Sequence, residues 1–92
     1  MIIRFEWDSE KAIANAKKHS VTFNEARTIF FDDNARLIND TDHSDTEERF
    51  IMLGMSNALR ILTVSHCYRS VARTIRIISA RKATRSELNF YP

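Results

Sequence analysis

The segment from Ile75 to Glu87 constrains the fold more than any other part of the sequence. Its first residues, Ile75–Ile78, are mostly β-branched and apolar, which is typical of a strand buried on both faces. Its last residues follow the pattern Thr84-x-x-Glu87, a capping box in which two side chains satisfy the free backbone N–H groups at a helix start. The segment therefore predicts a buried strand that runs almost directly into a C-terminal helix. Four cations lie on or beside this junction: Arg76, Arg81, Lys82 and Arg85.

Length, cysteine content and charge limit the remaining possibilities. The 92 residues suffice for one domain with one modest core, which we expect to span residues 1–92. The single cysteine, Cys67, excludes an intramolecular disulfide and a thiolate zinc cluster. The chain has neither a signal-peptide pattern nor an apolar segment long enough for a bilayer, so we expect a cytoplasmic protein without a membrane contact. We expect no cofactor.

Charge is distributed unevenly along the chain. The formal net charge is only +2, but from Leu59 onward Glu87 is the only acid among several arginines and lysines. This asymmetry predicts a basic face that binds nucleic acid or an acidic protein. A solvated basic surface without a partner is the alternative.

Hydrophobic periodicity predicts an α+β fold. The sheet is mainly antiparallel, with a meander at residues 48–80, and two N-terminal helices and one C-terminal helix cover it. Gly54, the only glycine, indicates a bulge or a close approach of two segments. The predicted strands are an edge strand at residues 2–7 and strands at 35–39, 50–55, 59–68 and 74–80. The first predicted helix, at 9–18, is capped by Asp8 and has an apolar stripe of Ala12, Ile13 and Ala16. The second runs from Glu25 to about Phe31 and is capped by Asn24.

Three groups of polar residues are functional candidates, each with a simpler alternative. One face of the first helix carries Lys11, Asn15, Lys18 and His19. This face is either solvated or forms the basic wall of an RNA or protein groove. The acidic run at residues 39–45 offers metal ligands, but it lacks the spacing and glycine of an EF-hand, which favours a solvated hairpin loop. His66, flanked by apolar residues in its strand, is either a buried hydrogen-bonded side chain or a general acid or base.

Strand alternation orients the candidate cations only partly. It places Arg60 and His66 on one face of their strand. It also places Arg76 and Arg81 on opposite faces of the following strand, since an odd number of positions separates them.

Several motifs together resemble the BrnT toxins over nearly the whole chain. The motifs are Phe5-Glu6-Trp7-Asp8-x-x-Lys11-x-x-x-Asn15-x-x-Lys18-His19-x-Val21-x-Phe23-x-x-Ala26, then Glu48-Arg49-Phe50, Arg69, and the segment from Ile75 to Thr84. The resemblance implies a RelE-like fold and a ribonuclease toxin of a bacterial type II toxin–antitoxin system that inhibits translation. It also implies that a BrnA-like ribbon-helix-helix antitoxin neutralises the toxin. Operator DNA would then be bound only through the antitoxin in the complex. Ser20 departs from the pattern, because the family often has glycine at this helix end.

RNA cleavage without a metal gives the candidate residues their roles. Attack of a 2′-OH on the neighbouring phosphate needs a base, cations beside the phosphorane and an acid for the leaving oxygen. We expect Arg69, Arg76 and Arg81 to supply the charge, His66 to act as the acid or base, and Glu48 to be the alternative base. Tyr91 either stacks on a base or has the structural role that we favour. We expect six residues to contact RNA: Lys11, Lys18, His19, Arg60, Lys82 and Arg85.

Two other functions compete with this one. The same basic surface suits a non-catalytic module that binds nucleic acid or protein. A metal-dependent nuclease would instead use Asp40, Asp42 and His43 of the acidic run.

Overall fold

The computed structural model describes residues 2–39, 48–69 and 73–92. Residues 40–47, which include most of the acidic run with its proposed metal ligands, and residues 70–72 lie outside the described residues. The elements in chain order are β1 Arg4–Glu6, α1 Ser9–His19, α2 Phe23–Ala26, a 3₁₀ helix Arg27–Phe31, β2 Arg36–Asn39, β3 Phe50–Met55, β4 Ile61–Arg69, β5 Thr74–Lys82 and α3 Arg85–Leu88.

The five strands form one sheet in the order β1-β5-β4-β3-β2. The four strands from β2 to β5 pair antiparallel, and β1 adds at the edge of the sheet, parallel to β5. The predicted α+β fold, the meander and the edge position of the first strand are confirmed. The pairing of β1 with the last strand was not predicted, because nothing in the sequence specifies which edge it joins.

One face of the sheet carries α1, α2, the 3₁₀ helix and the main core. We call it the covered face. Apolar side chains of α1, α2 and the 3₁₀ helix meet those of β4 and β5 there, as the spacing of Ala26 and Ile29 predicted. The fully or almost fully buried members of this core are Val21, Phe23, Ala26, Ile29, Leu62, Val64, Ile77 and Ala80.

Gly54 lies on this face because the 3₁₀ helix packs directly on β3. A β-carbon at Gly54 would lie 3.0 Å from Ile29 Cβ and 3.1 Å from Ile29 O. Gly54 is paired regularly with Leu62, so the close approach, and not a bulge, explains the glycine.

The apolar stripe predicted for α1 is only partly confirmed: Ala12 packs against the core and Ala16 is half-buried, but Ile13 does not belong to the buried face. Ile13 is 60% exposed, whereas Asn15 is buried. Asn15 Nδ2 donates to Ala80 O (2.8 Å) and to Val21 O (3.0 Å), and Asn15 Oδ1 accepts from Ala80 N (3.0 Å). β1 pairs only with Thr74–Arg76, so the backbone N–H and C=O of Ala80 on the outer edge of β5 have no neighbouring strand to bond. The side-chain amide of Asn15 supplies the acceptor and the donor that they need.

The helix ends follow local hydrogen-bond chemistry. Asp8 caps α1 as predicted, and its carboxylate accepts from Glu10 N at 2.8 Å. The cap of α2 is Thr22 and not Asn24: Thr22 Oγ1 accepts from Glu25 N at 3.0 Å, so the helix begins two residues earlier than predicted. α1 ends at Ser20 in the left-handed region, with φ 58°. No helix within the described residues is long and apolar enough to cross a membrane.

Candidate active site

The face of the sheet opposite α1 and α2 carries the three predicted catalytic arginines. We call it the open face, and its polar side chains include Glu6, Ser65, Arg69, Arg76, Ser79 and Arg81. Because paired residues on neighbouring strands share a face, the register given below assigns each side chain to one side of the sheet.

An irregularity in β5 brings Arg76 and Arg81 onto this face together. Arg76 pairs with Cys67 and Arg81 pairs with Thr63, two β4 residues of the same parity. The pairing of the two strands shifts by one residue, and Ile78 is the extra residue on β5. The prediction that the two arginines lie on opposite faces is therefore wrong, since it assumed unbroken alternation.

A carboxylate lies beside Arg76 and Arg69 at one end of the open face. Arg76 Nη1 donates to Glu6 Oε2 at 2.9 Å, and Arg69 Nε lies 3.7 Å from the same oxygen. The three side chains are 33–47% exposed, so solvent and a ligand can reach them. They adjoin an open cleft of about 400 Å³, which is lined by Arg4, Phe5, Glu6, Arg69 and Thr74.

Sequence reasoning missed Glu6 as a member of the site. Its signal was present, because Arg4 and Glu6 alternate with the apolar Phe5 and so point away from the core. What the sequence could not supply was the neighbour: Glu6 meets Arg76 only because β1 pairs in parallel with β5.

Arg81 is held by Glu87 at the other end of the open face. Its Nη1 and Nη2 donate to Glu87 Oε1 (2.7 Å) and Oε2 (2.9 Å), a two-pronged contact. The predicted capping box also forms, with Thr84 N donating to Glu87 Oε1 at 2.8 Å and Glu87 N donating to Thr84 Oγ1 at 3.2 Å. The hydrogen bonds from Arg81 lower the pKa of Glu87 to about 2, and those same bonds raise the pKa of Arg81.

His66 lies on the covered face, across the sheet from these arginines. It is fully buried and packs against the rings of Phe30 and Phe50 at centroid distances of 4.8 and 6.2 Å. Its Nδ1 is 3.2 Å from Val64 O and its Nε2 is 3.2 Å from Tyr68 Oη. Burial lowers the pKa of His66, which favours the neutral ring. The structure thus does not bring His66 together with Arg69, Arg76 or Arg81.

The remaining candidates lie around the site or away from it. Glu48 is exposed just before β3, and Lys82 and Arg85 are exposed next to Arg81. Lys11 and Lys18 are exposed and His19 is half-buried on α1, the helix that packs on the covered face.

Arg60 has a structural partner. Its guanidinium donates to both oxygens of Glu25, with an Nε–Oε2 distance of 2.9 Å, and to Ser20 O at 3.1 Å. The hydrogen bonds from Arg60 lower the pKa of Glu25. These contacts tie the start of β4 to α2, so Arg60 is less available for RNA than the sequence suggested.

Tyr91 also makes a structural contact. Its hydroxyl donates to Asp32 Oδ2 at 2.6 Å, and the same oxygen accepts from Met55 N at 2.8 Å. The hydrogen bond to Asp32 raises the pKa of Tyr91. The C-terminal tail is thereby attached to the end of the 3₁₀ helix.

No group of three or more histidine, cysteine or carboxylate side chains within residues 2–39, 48–69 and 73–92 is arranged to hold a metal ion. The charged side chains that line the open-face cleft are two arginines, Arg4 and Arg69, and one carboxylate, Glu6, a composition that suits a phosphate better than a metal cation.

A model of the family described as ribonuclease toxin, BrnT, of type II toxin-antitoxin system matches residues 7–87 of this chain. The chain belongs to the BrnT family. This places it among the ribonuclease toxins of type II toxin–antitoxin systems and implies an antitoxin as its partner. The match contains Arg69, Arg76, Arg81 and Glu87, whereas Glu6 lies one residue before it.

A solved structure supports the fold of this BrnT-family chain. The 1.1 Å crystal structure of the Brucella abortus ribonuclease toxin, BrnT, is similar with a TM-score of 0.69 and 22% sequence identity, and the alignment covers 91% of this chain and 100% of that chain. A comparison with curated protein sequences gives no match.

Proposed function

We propose that this BrnT-family chain is a metal-independent endoribonuclease that cleaves RNA through attack of a 2′-OH on the adjacent phosphate, and that this cleavage inhibits translation. The observation that carries the proposal is the meeting of Arg69 and Arg76 with Glu6 beside an open cleft. Two cations and one carboxylate in reach of solvent can supply the positive charge and the proton transfers that this reaction needs.

Glu6 is the general base in this proposal. Both arginine contacts use Glu6 Oε2, so we assign Oε1 to take the proton from the 2′-OH. Among the residues that line the cleft, Glu6 is the only carboxylate and there is no histidine. Glu6, once protonated, can return the proton to the leaving 5′-oxygen, which makes one group serve both steps. Glu48, exposed at the start of β3, is the second candidate base.

The arginines stabilise the crowded phosphorane. Arg76 is oriented by its hydrogen bond to Glu6 and has its side chain 33% exposed, so it can contact a phosphate while it stays next to the base. Arg69 approaches from the neighbouring strand and adds a second guanidinium. A planar guanidinium can bind two phosphate oxygens at once, which a lysine cannot do.

His66 has a structural role in this proposal. Its ring is enclosed by aromatic side chains of the covered face, and the sheet separates it from the arginines. Arg85, exposed on α3 beside Arg81, adds positive charge that attracts the RNA backbone. Lys82 pairs with Leu62 and therefore lies on the covered face. A cytoplasmic location and a BrnA-like ribbon-helix-helix antitoxin complete the proposal, since translation is the target and the family implies an antitoxin.

The test is incubation of the purified chain with a defined single-stranded RNA, with and without EDTA, followed by analysis of the product ends. Cleavage that survives EDTA and leaves 2′,3′-cyclic phosphate or 3′-phosphate ends supports the proposal, because attack by the 2′-OH gives these ends. Loss of cleavage in EDTA would move the chemistry to a metal site. Tight RNA binding without cleavage, from folded protein, would instead support the non-catalytic binding module.

A further inference from the structure

Glu87 occupies an anion site on the open face. Its Oε1 accepts from Arg81 Nη1 (2.7 Å), from Thr63 Oγ1 (2.9 Å) and from Thr84 N (2.8 Å), and its Oε2 accepts from Arg81 Nη2 (2.9 Å). Three of these four donors belong to side chains of the sheet. Two oxygens of one phosphate can bind the same guanidinium fork, since carboxylate and phosphate share this two-pronged geometry.

We propose that Arg81 and Thr63 form a second phosphate subsite for RNA, and that the carboxylate of Glu87 occupies this subsite until an RNA phosphate displaces it. The inference rests on the proposed function, because it assumes that RNA lies along the open face. It adds to that function a competition inside the chain between its own carboxylate and the backbone of the substrate.

The position of the subsite fits a strand of RNA that passes the cleft. Arg81 lies on the same face as Arg76, and because Ile78 is an extra residue, their β4 partners Thr63 and Cys67 are only four positions apart, a distance of about 13 Å at roughly 3.3 Å per residue. A backbone with one phosphate near Arg76 therefore brings a later phosphate of the same strand to Arg81. Arg85, exposed on α3, adds positive charge beside it.

Displacement of Glu87 disturbs little of the core. Glu87 belongs to α3, a helix of four residues in which no side chain is buried. The Arg81 side chain is 39% exposed even with Glu87 bound, so a phosphate can approach the fork before the carboxylate leaves. The fork of Arg81 is thus accessible, whereas Thr63, which is 4% exposed, is reached only once Glu87 has left. The energetic cost of this opening is mainly the loss of the contacts to Glu87.

Replacing Glu87 by glutamine distinguishes two roles of this side chain, competition with RNA for Arg81 and capping of α3. Glu87→Gln removes the negative charge, while glutamine still serves as the third helical residue of a capping box. Glu10→Gln is the matched control, because it makes the same change in net charge in the first turn of α1, on the covered side of the sheet. Arg81→Gln, alone and combined with Glu87→Gln, tests whether any effect acts through the fork.

The experiment measures the binding of a 2′-O-methyl RNA oligonucleotide, which cannot be cleaved, at several salt concentrations. We expect Glu87→Gln to bind about tenfold more tightly than Glu10→Gln, because the phosphate no longer has to displace a carboxylate from the Arg81 fork. We also expect Arg81→Gln to make the slope of log affinity against log salt shallower by about 0.7 than in the parent, the value for one single-strand phosphate. The combination of Glu87→Gln with Arg81→Gln should lose the gain in affinity. Equal affinity of Glu87→Gln and Glu10→Gln would overturn the inference.

A measurement on the parent chain does not depend on how the variants fold. NMR signals of the Arg81 and Arg76 Nε–H groups are followed while the same oligonucleotide is added. A change at both arginines supports the inference, and a change at Arg76 alone, with Arg81 unaffected, overturns it. Absence of any RNA binding overturns it as well. Cleavage of ordinary RNA is scored separately, so binding at Arg81 without cleavage refutes the proposed function and leaves the subsite established.

Discussion

Glu6 and Arg76 lie side by side on two parallel strands although seventy positions separate them in the chain, and Arg76 Nη1 donates to Glu6 Oε2 at 2.9 Å. This contact joins the first strand to the last one at the mouth of the cleft. The parallel pairing of β1 with β5 thereby places a carboxylate among the arginines of the open face. The proposed chemistry depends on this one juxtaposition.

Substitution of Arg76 should slow RNA cleavage without unfolding the chain. We expect Arg76→Gln to lower the single-turnover rate by about 10²- to 10³-fold, the usual effect of removing one transition-state donor. The control is Arg36→Gln, which removes an exposed cation on the same face but on the far edge strand, opposite Leu53. It should change the rate by less than about threefold. Equal losses in the two variants would indicate that only the total charge matters.

His66 should be dispensable for the chemistry and important for the core. We expect a folded His66→Gln variant to cleave RNA at close to the parent rate, because the sheet separates His66 from Arg76. The measurement is the single-turnover rate together with circular dichroism. A folded variant without activity would return His66 to the catalytic site.

The pH dependence of stability provides an independent test of the burial of His66. Burial lowers the pKa of His66 in the folded chain, so the unfolded chain binds the proton more readily at mildly acidic pH. Its contribution to the free energy of unfolding is therefore full above the unfolded pKa of about 6.5 and decreases as the pH falls through the folded pKa. Urea unfolding between pH 7.5 and 5 should show this decrease in the parent and a smaller one in His66→Gln. Identical pH profiles would contradict the burial of a neutral ring.

Asn15 should contribute strongly to stability. Asn15→Ala removes three buried hydrogen bonds and leaves both the N–H and the C=O of Ala80 without their partner from α1. We expect the free energy of unfolding to decrease by about 2–4 kcal/mol. Asn24→Ala, at an exposed position of α2, should cost less than about 1 kcal/mol. Urea unfolding of both variants checks the difference, and a similar small loss in each would show that the amide bridge contributes little.

Glycine at position 20 should stabilise the chain. Ser20 has a φ of 58°, in the left-handed region that glycine adopts at less cost. We expect Ser20→Gly to raise the free energy of unfolding by about 0.5–1 kcal/mol. Ser20→Ala has a β-carbon like the parent and should not stabilise the chain. A gain in the alanine variant, or none in the glycine variant, would show that backbone strain at Ser20 is unimportant.

Local patterns in the sequence predicted most of the fold and only part of the site. Thr84 and Glu87 specify the start of α3 through hydrogen bonds between residues close in sequence. The position of Gly54 within a strand already indicated the close approach of another segment that the structure shows. The alternation of Phe5 with Glu6 showed which way each side chain points.

The rest depends on tertiary structure. The extra residue Ile78 in β5 places Arg76 and Arg81 on the same face of the sheet, and no local sequence pattern predicts this irregularity. His66 was recognised as a strand residue, but its burial depends on Phe30 and Phe50, which come from distant parts of the chain. Glu6 gained its arginine neighbours only through pairing of the chain's first and last strands.

The most direct test of the central claim is the rate of RNA cleavage by Glu6→Gln in the presence of EDTA, compared with the parent chain. Glutamine keeps the shape of the side chain and its contact with Arg76 but cannot accept the proton of the 2′-OH. We predict that the parent cleaves in EDTA and leaves 2′,3′-cyclic phosphate or 3′-phosphate ends, and that folded Glu6→Gln is slower by about 10²- to 10⁴-fold. Cleavage by Glu6→Gln at the parent rate would contradict the assignment of the open-face cleft as the active site.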